Sequence, residues 1–170
     1  MGYVVDLIKP ESERKAKISL LKADAKDSFP FFGLDKEETL PVVLVPISLP
    51  LYRMDNGRTQ SEQLEMIAEE GLATDFFTAG QENREAQQRQ HDLLVEFAKD
   101  GGGEDGRAIR DVLEEQGQRE PLVISVSGVV LNGNRRLAAM RDLYESNPTR
   151  FGSFANIQVA VQPPRTREQE

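Results

Sequence analysis

The chain has 170 residues, 38% of them hydrophobic and 29% charged, with a formal net charge of -8. That is enough length and apolar content for one well-buried domain, and the acidic balance excludes the global basic field that drives non-specific binding to nucleic acid. Cysteine is absent and histidine occurs once, which excludes disulfides, thiol catalysis, Cys/His zinc sites and any relay that needs two histidines. No apolar run approaches the roughly 20 residues of a membrane span, and Met1-Gly2-Tyr3-Val4-Val5-Asp6 lacks a basic region followed by an apolar core, so cytoplasmic placement is the expectation.

Residues 1–41 read as an N-terminal arm packed on the core. Val4, Val5, Leu7 and Ile8 form an apolar patch broken by Pro10, and Lys15 to Lys22, with Ile18, Leu20 and Leu21, reads as helix or strand. Phe29, Phe31, Phe32 and Leu34 cluster around Pro30 and Gly33, which suggests a segment laid over the core rather than a regular element. Val42-Val43-Leu44-Val45-Pro46-Ile47 is β-branched and of strand length, and the prolines at 41, 46 and 50 predict an edge position or a break. A turn follows at Asp55-Asn56-Gly57, and Thr59-Gln60-Ser61-Glu62 matches a capping box that opens a helix with Leu64, Ile67 and Ala68 on its apolar face and Gly71 at its stop.

Residues 72–104 read as a peripheral helical insertion. The helix from about Glu82 to Lys99 shows only a narrow apolar face of Ala86, Leu93, Leu94, Phe97 and Ala98, and it leaves through Gly101-Gly102-Gly103. His91 lies in the polar run Gln87-Gln88-Arg89-Gln90-His91-Asp92 and is expected at the surface without a catalytic role. A further helix from about Asp105 to Gln116 stops at Gly117. Pro121 to Val126 and Val129 to Leu131 flank Ser127-Gly128, which predicts a hairpin with a two-residue turn. Asn147-Pro148 ends the next helix, and Ile157, Val159 and Val161 alternate with polar residues as a half-buried strand. Residues 42–162 are therefore expected to form one α+β domain, a small mixed sheet with surrounding helices, followed by a polar tail at 163–170.

The stretch richest in chemistry is Val129-Val130-Leu131-Asn132-Gly133-Asn134-Arg135-Arg136-Leu137-Ala138-Ala139-Met140. It reads as strand, tight turn and helix, with Gly133 free to take a positive φ and two arginines in the first helical turn. Cations are unfavourable at a helix N-terminus, so two of them there point to an anion, with phosphate the expected ligand. Arg58 stands just ahead of the other predicted helix start, so two corners are expected to converge on one anion. The hairpin delivers Pro121 and the arginines to one end of the sheet, which makes Gly117 to Leu137 the expected floor of the deepest pocket.

Gly133-Asn134-Arg135-Arg136-Leu137-Ala138-Ala139, preceded by a hairpin and by Gly117-Gln118-Arg119-Glu120-Pro121-Leu122-Val123-Ile124, resembles the core of the ParB/sulfiredoxin superfamily. That family's upstream Asn-x-Arg box is matched by Asn56-Gly57-Arg58 after Val45-Pro46-Ile47. The resemblance implies a nucleoside-triphosphate site, ATP or CTP with Mg²⁺, in which Asn56, Arg58, Gly117, Pro121, Asn132, Gly133, Asn134, Arg135 and Arg136 bind nucleotide. Arg136 is the primary phosphate ligand on this reading, with Arg135 either a second contact or an ion-pair partner of Asp55. Asp55, Glu120 or Asn134 would orient water, and Asp55 or Glu120 would supply oxygen to the metal. The sulfiredoxin branch carries a nucleophilic Cys where Asn134 stands, so its thiol chemistry is excluded.

The function implied is an NTP-binding or NTP-hydrolysing module of a DNA-partition, DNA-modification or anti-phage protein, with homo-oligomers an option and DNA reached through a further domain or partner. A DNase of the same fold and a non-catalytic interaction module are the alternatives. ParB-like chains continue into a helical domain after the last strand, so Arg165 to Glu170 reads as the start of a linker to such a region.

Overall fold

The computed structural model describes residues 2–7, 10–32, 37–100 and 108–164. In chain order the elements are α1 (Glu11–Ala23), β1 (Asp27–Phe32), β2 (Glu37–Pro46), α2 (Gln60–Glu70), α3 (Arg84–Lys99), α4 (Ile109–Gln116), β3 (Leu122–Ile124), β4 (Val130–Asn132), α5 (Asn134–Ser146), a short 3-10 turn (Gly152–Ala155) and β5 (Asn156–Val161). The strands form one mixed sheet in the order β1-β2-β5-β3-β4. Only β5 and β3 run parallel; the other neighbours are antiparallel. The α+β class expected from the order of elements is therefore what the chain adopts. No helix among the described residues is long and apolar enough to cross a membrane. The glycine connector at 101–103, the residues at 8, 33, 34 and 105–107, and the tail from 165 lie outside the described residues.

Alternation sends Val43, Val45, Ile157, Val159, Val161, Leu122 and Ile124 to one face, where α3 and α5 supply Ala86, Leu94, Ala98, Leu137, Met140 and Leu143 to the main core. The opposite face carries a smaller cluster of Leu40, Val123 and Ala160, edged by Phe29, Phe31, Val42 and Leu131. β5 is thus buried on both faces at Ala160 and its neighbours, which makes it a central strand rather than the half-buried one its alternation predicts.

Two strand expectations change for reasons of pairing. Asp27–Phe32 is a regular edge strand, not an irregular arm segment, and Pro30 within it is tolerated on the edge. β2 is interior despite its prolines, because its two halves serve different neighbours. Residues 37–42 pair with β1 and 42–46 with β5, so that Val42 alone faces both and Pro41 falls before the β5 ladder begins. The β3–β4 turn is also longer than Ser127-Gly128. Ser125 donates to the Val129 carbonyl at 2.9 Å and Gly128, at φ 90, donates to Ser125 at 3.0 Å, which makes a four-residue turn; a register shift between Val123 and Ile124 follows.

The largest correction concerns α3. Its apolar face is joined by buried glutamines that a polarity count assigns to solvent, namely Gln87 and Gln90, and by His91, which is 2% exposed rather than on the surface. These side chains are buried because two irregular backbone segments lie against them and need partners. Gln87 accepts from the Tyr52 amide at 2.9 Å and donates to the carbonyls of Tyr52 and Gln81, both at 2.9 Å. Gln88 holds the N-terminal segment, accepting from Val5 N–H at 2.8 Å and donating to Tyr3 at 3.0 Å. His91 Nδ1 meets the Tyr52 hydroxyl at 2.5 Å. α3 is therefore a core helix and not a removable insertion.

Deletion of residues 72–104 is expected to give a chain without cooperative thermal unfolding, because it removes part of the main core and orphans buried backbone groups together. A sharp melting transition in the deletion product would refute the assignment of α3 to the core. Burial, reinforced by the Arg141 charge, brings the His91 pKa down to about 4 from the usual 6.5. Between those values the unfolded chain binds a proton that the folded one excludes, so stability is complete above 6.5 and falls with pH toward 4, by about 3 kcal/mol in all. His91→Gln should flatten that part of the pH profile in urea titrations; an unchanged slope would show that His91 does not cause it.

Candidate anion site

The downstream corner is built by Gly133. Its φ of 110 turns the chain from β4 into α5, and a Cβ there would lie 2.5 Å from Leu122 Cδ2 and 3.0 Å from the Arg136 guanidinium. Only glycine satisfies both the backbone and the space. The upstream corner is a turn closed by Asn56, whose Oδ1 accepts from Arg58 N–H at 3.0 Å and whose carbonyl accepts from Thr59 N–H at 3.1 Å. No capping box forms at α2. Thr59 takes near-helical angles and makes no cap hydrogen bond, its hydroxyl being engaged elsewhere, while Glu62 Oε2 is buried with no hydrogen-bond partner among the described residues. Its Leu64 is 60% exposed and Gln63 is the residue turned inward.

Asn134 joins the two corners. Its Oδ1 accepts from Arg53 N–H at 3.0 Å and its Nδ2 donates to the Val130 carbonyl at 3.3 Å. The amide expected to orient water or hold nucleotide is thus spent on stapling the start of α5 to the segment that leads into Arg58. Arg136 is also committed. It is half-buried and donates to the Glu120 carbonyl at 3.0 Å and to Asn132 Oδ1 at 3.4 Å, tying α5 to the approach of β3. Burial lowers its pKa, with the Glu120 charge opposing. Gly133 and Pro121 therefore sit at the same end of the sheet, as the hairpin predicts.

Of the two arginines, Arg136 is the one engaged with groups of the protein. Among the described residues neither Arg135 nor Arg58 lies within ion-pair distance of a carboxylate, and Asp55 pairs loosely, at 3.9 Å, with Arg53 instead of Arg135. The Arg135 pKa is lowered by burial first and by the charge of Arg58 second. The two guanidinium groups are therefore within electrostatic reach of each other, and like charges so placed disfavour one another. Gly117, at φ 73, ends α4 and leads to the half-exposed Gln118, which donates to the Glu120 and Gln158 carbonyls at 3.1 and 2.8 Å. Glu120 is exposed and Pro121 buried. A separate concavity of about 370 Å³ opens between Lys22, Glu38, Pro41 and Pro163, and none of its lining comes from residues 117–137.

Sequence reading missed the polar residues behind the corner. Gln63 and Gln90, 7% and 0% exposed, contact Thr59 and the carbonyls of Met54 and Arg53. A glutamine in a charged helical run carries no signal that separates this role from solvation. Spacing offers one hint only: Gln87, Gln90, Leu94 and Ala98 recur every three to four residues on the face that is buried.

No protein-family model, curated protein or solved structure matches the chain.

Replacing Gly133 by Ala is expected to cost about 2 kcal/mol or more, because positive φ and a Cβ clash act together. Gly117→Ala, at positive φ with open space around it, should cost about half as much. Urea denaturation of the two variants checks this; equal losses would mean that packing at Leu122 contributes nothing.

Proposed function

We propose that the corner binds the polyphosphate of a nucleoside triphosphate, and that the chain is a nucleotide-binding module of the kind the ParB/sulfiredoxin resemblance implies. One observation carries the reading: Arg58 lies within electrostatic reach of Arg135, the Asn134 staple tying their two segments together, and among the described residues neither has a carboxylate within ion-pair distance. Two unneutralised cations, one at the start of a 13-residue helix, pay an electrostatic penalty that a bound phosphate removes. Further support is the order of parts. A strand, turn and helix with Asn56-Gly57-Arg58 and a hairpin, turn and helix with Gly133-Asn134-Arg135-Arg136 meet at one place.

Roles differ from residue to residue. Arg58 and Arg135 would contact phosphate oxygens, and the N–H groups of the first α5 turn would add neutral donors. Arg136, Asn132, Asn134 and Asn56 hold the two corners in shape. Among the described residues no three acids or histidines converge. Mg²⁺ commonly keeps several waters and takes one or two carboxylates plus substrate phosphates, which suits a corner where Asp55 and Glu120 are single exposed candidates. Hydrolysis, a place in DNA partition, DNA modification or anti-phage defence, and access to DNA through a partner all belong to the same proposal.

Calorimetric titration with ATP, CTP and GTP, with and without Mg²⁺, tests it. Arg135→Ala and Arg58→Ala should each weaken binding by about ten- to a hundredfold, the value of one charge-assisted contact, with little change in melting temperature. Arg136→Ala should lower the melting temperature more than either. Wild-type affinity in both Arg58→Ala and Arg135→Ala would sink the proposal.

A further inference from the structure

The backbone from Arg53 to Thr59 belongs to no helix or strand, yet it carries Arg58 and ends on a fully buried threonine. Such a segment keeps a fixed shape only if something other than a ladder satisfies its polar groups. Asn134 and Gln81 accept from the amides of Arg53 and Met54, and two buried glutamines take the carbonyls and the threonine. Gln90, on α3, donates to Thr59 Oγ1 at 3.0 Å and to the Arg53 carbonyl at 3.3 Å. Gln63, on α2, donates to the Met54 carbonyl at 3.1 Å, to Thr59 Oγ1 at 3.3 Å and to Gln90 Oε1 at 2.9 Å. The Thr59 hydroxyl passes its own hydrogen to the Asn56 carbonyl at 3.2 Å. The turn is thereby gripped before Asp55 and after Arg58, and the grip is out of solvent.

We infer that Gln90, acting with Gln63 through the Thr59 hydroxyl, is a positioning residue that presents Arg58 to the anion corner. The inference rests on the phosphate reading of that corner and adds residues which touch no ligand. An arginine on a loose turn must be ordered when the ligand arrives, and that ordering weakens binding; the clasp orders it beforehand. Its action is specific to one side of the site. Arg135 stands on α5, held by the Gly133 turn and the Arg136 contacts, and no bond of the clasp reaches it.

The experiment uses the full chain and inorganic tripolyphosphate as probe, with Gln90→Leu, Arg58→Ala, Arg135→Ala and the two doubles containing Gln90→Leu. Gln90→Leu is expected to weaken binding about tenfold, as loss of a supporting hydrogen-bond set would. Added to Arg58→Ala it should cause no further loss, whereas added to Arg135→Ala the two losses should multiply. Losses that multiply in both doubles, or wild-type affinity in a folded Gln90→Leu, overturn the inference. If Gln90→Leu does not fold, Thr59→Val, which removes the hydroxyl and keeps the shape, carries the same cycle. Should the wild type bind no tripolyphosphate, the phosphate reading fails by itself, and amide exchange still judges the clasp. Gln90→Leu should then speed exchange at Arg58 and Thr59 by about tenfold or more with α5 unchanged; equal exchange rates would overturn the positioning role as well.

Discussion

From Ile47 to Tyr52, past the end of β2, the chain is largely buried without a complete strand partner, and from Tyr52 on many of its hydrogen-bonding groups are met by glutamine side chains in place of a ladder. Leu51 keeps one bridge, to Val129. After it the backbone of Tyr52 and Met54 is taken up by Gln81 and Gln87, and that of Arg53 and Met54 by Gln90 and Gln63. A buried unpaired amide or carbonyl costs about 1 to 3 kcal/mol, so several of them together would exceed what a domain of this size can lose. The position of α3, the inward face of α2 and the geometry of the Asn56 turn all follow from supplying these partners.

A second set of buried polar groups fixes the other side of the same segment. Arg141, fully buried, donates twice to the Ile47 carbonyl and once to Pro50 at 2.7 Å, and its guanidinium lies 5.0 Å from the ring centres of both Tyr3 and Tyr52. Carbonyls and aromatic faces replace the acid that a buried cation ordinarily requires. The arrangement raises the Tyr52 phenol well above its usual range through burial, with the arginine charge opposing, so Tyr52 stays neutral and can share its hydroxyl with His91. Arg14, also fully buried, is met differently at the hairpin, donating to the Ser127 carbonyl at 2.5 Å and pairing with the Glu82 carboxylate at 2.6 Å. Alpha-helices here are joined to loops through polar side chains as much as through apolar ones.

Legibility in the sequence followed the same boundary. Elements marked by apolar periodicity or by a backbone-specific residue were readable: β5 from Ile157, Val159 and Val161, the stops at Gly71 and Gly117, and the turn at Gly133 with its positive φ. Elements whose burial depends on a partner distant in sequence were not. Gln87, Gln90 and His91 look solvated because each has a partner, in Tyr52 or Arg53, more than 30 residues away. Thr59 and Glu62 have the spacing of a capping box, but Gln90 and Gln63 claim the Thr59 hydroxyl, and local chemistry yields to a tertiary contact. Pro41 and Pro46 argued for an edge or a break because a composition rule cannot see that β2 changes neighbours at Val42.

The glycine turn of the corner is readable in the sequence, but the partners its polar side chains take in the fold are not. Asn and Arg are interchangeable to a motif, since each supplies donors beside a glycine turn. In the folded chain they compete for the acceptors at hand. Asn134 takes the Arg53 amide and the Val130 carbonyl, Arg136 takes Glu120 and Asn132, and Asn56 takes Arg58 and Thr59 backbone groups. What remains at the corner are Arg58 and Arg135, whose side chains meet no carboxylate within ion-pair distance among the described residues. A charge left over after internal demands are met is the one a ligand can neutralise, because every other donor would first have to release a bond that holds the corner together.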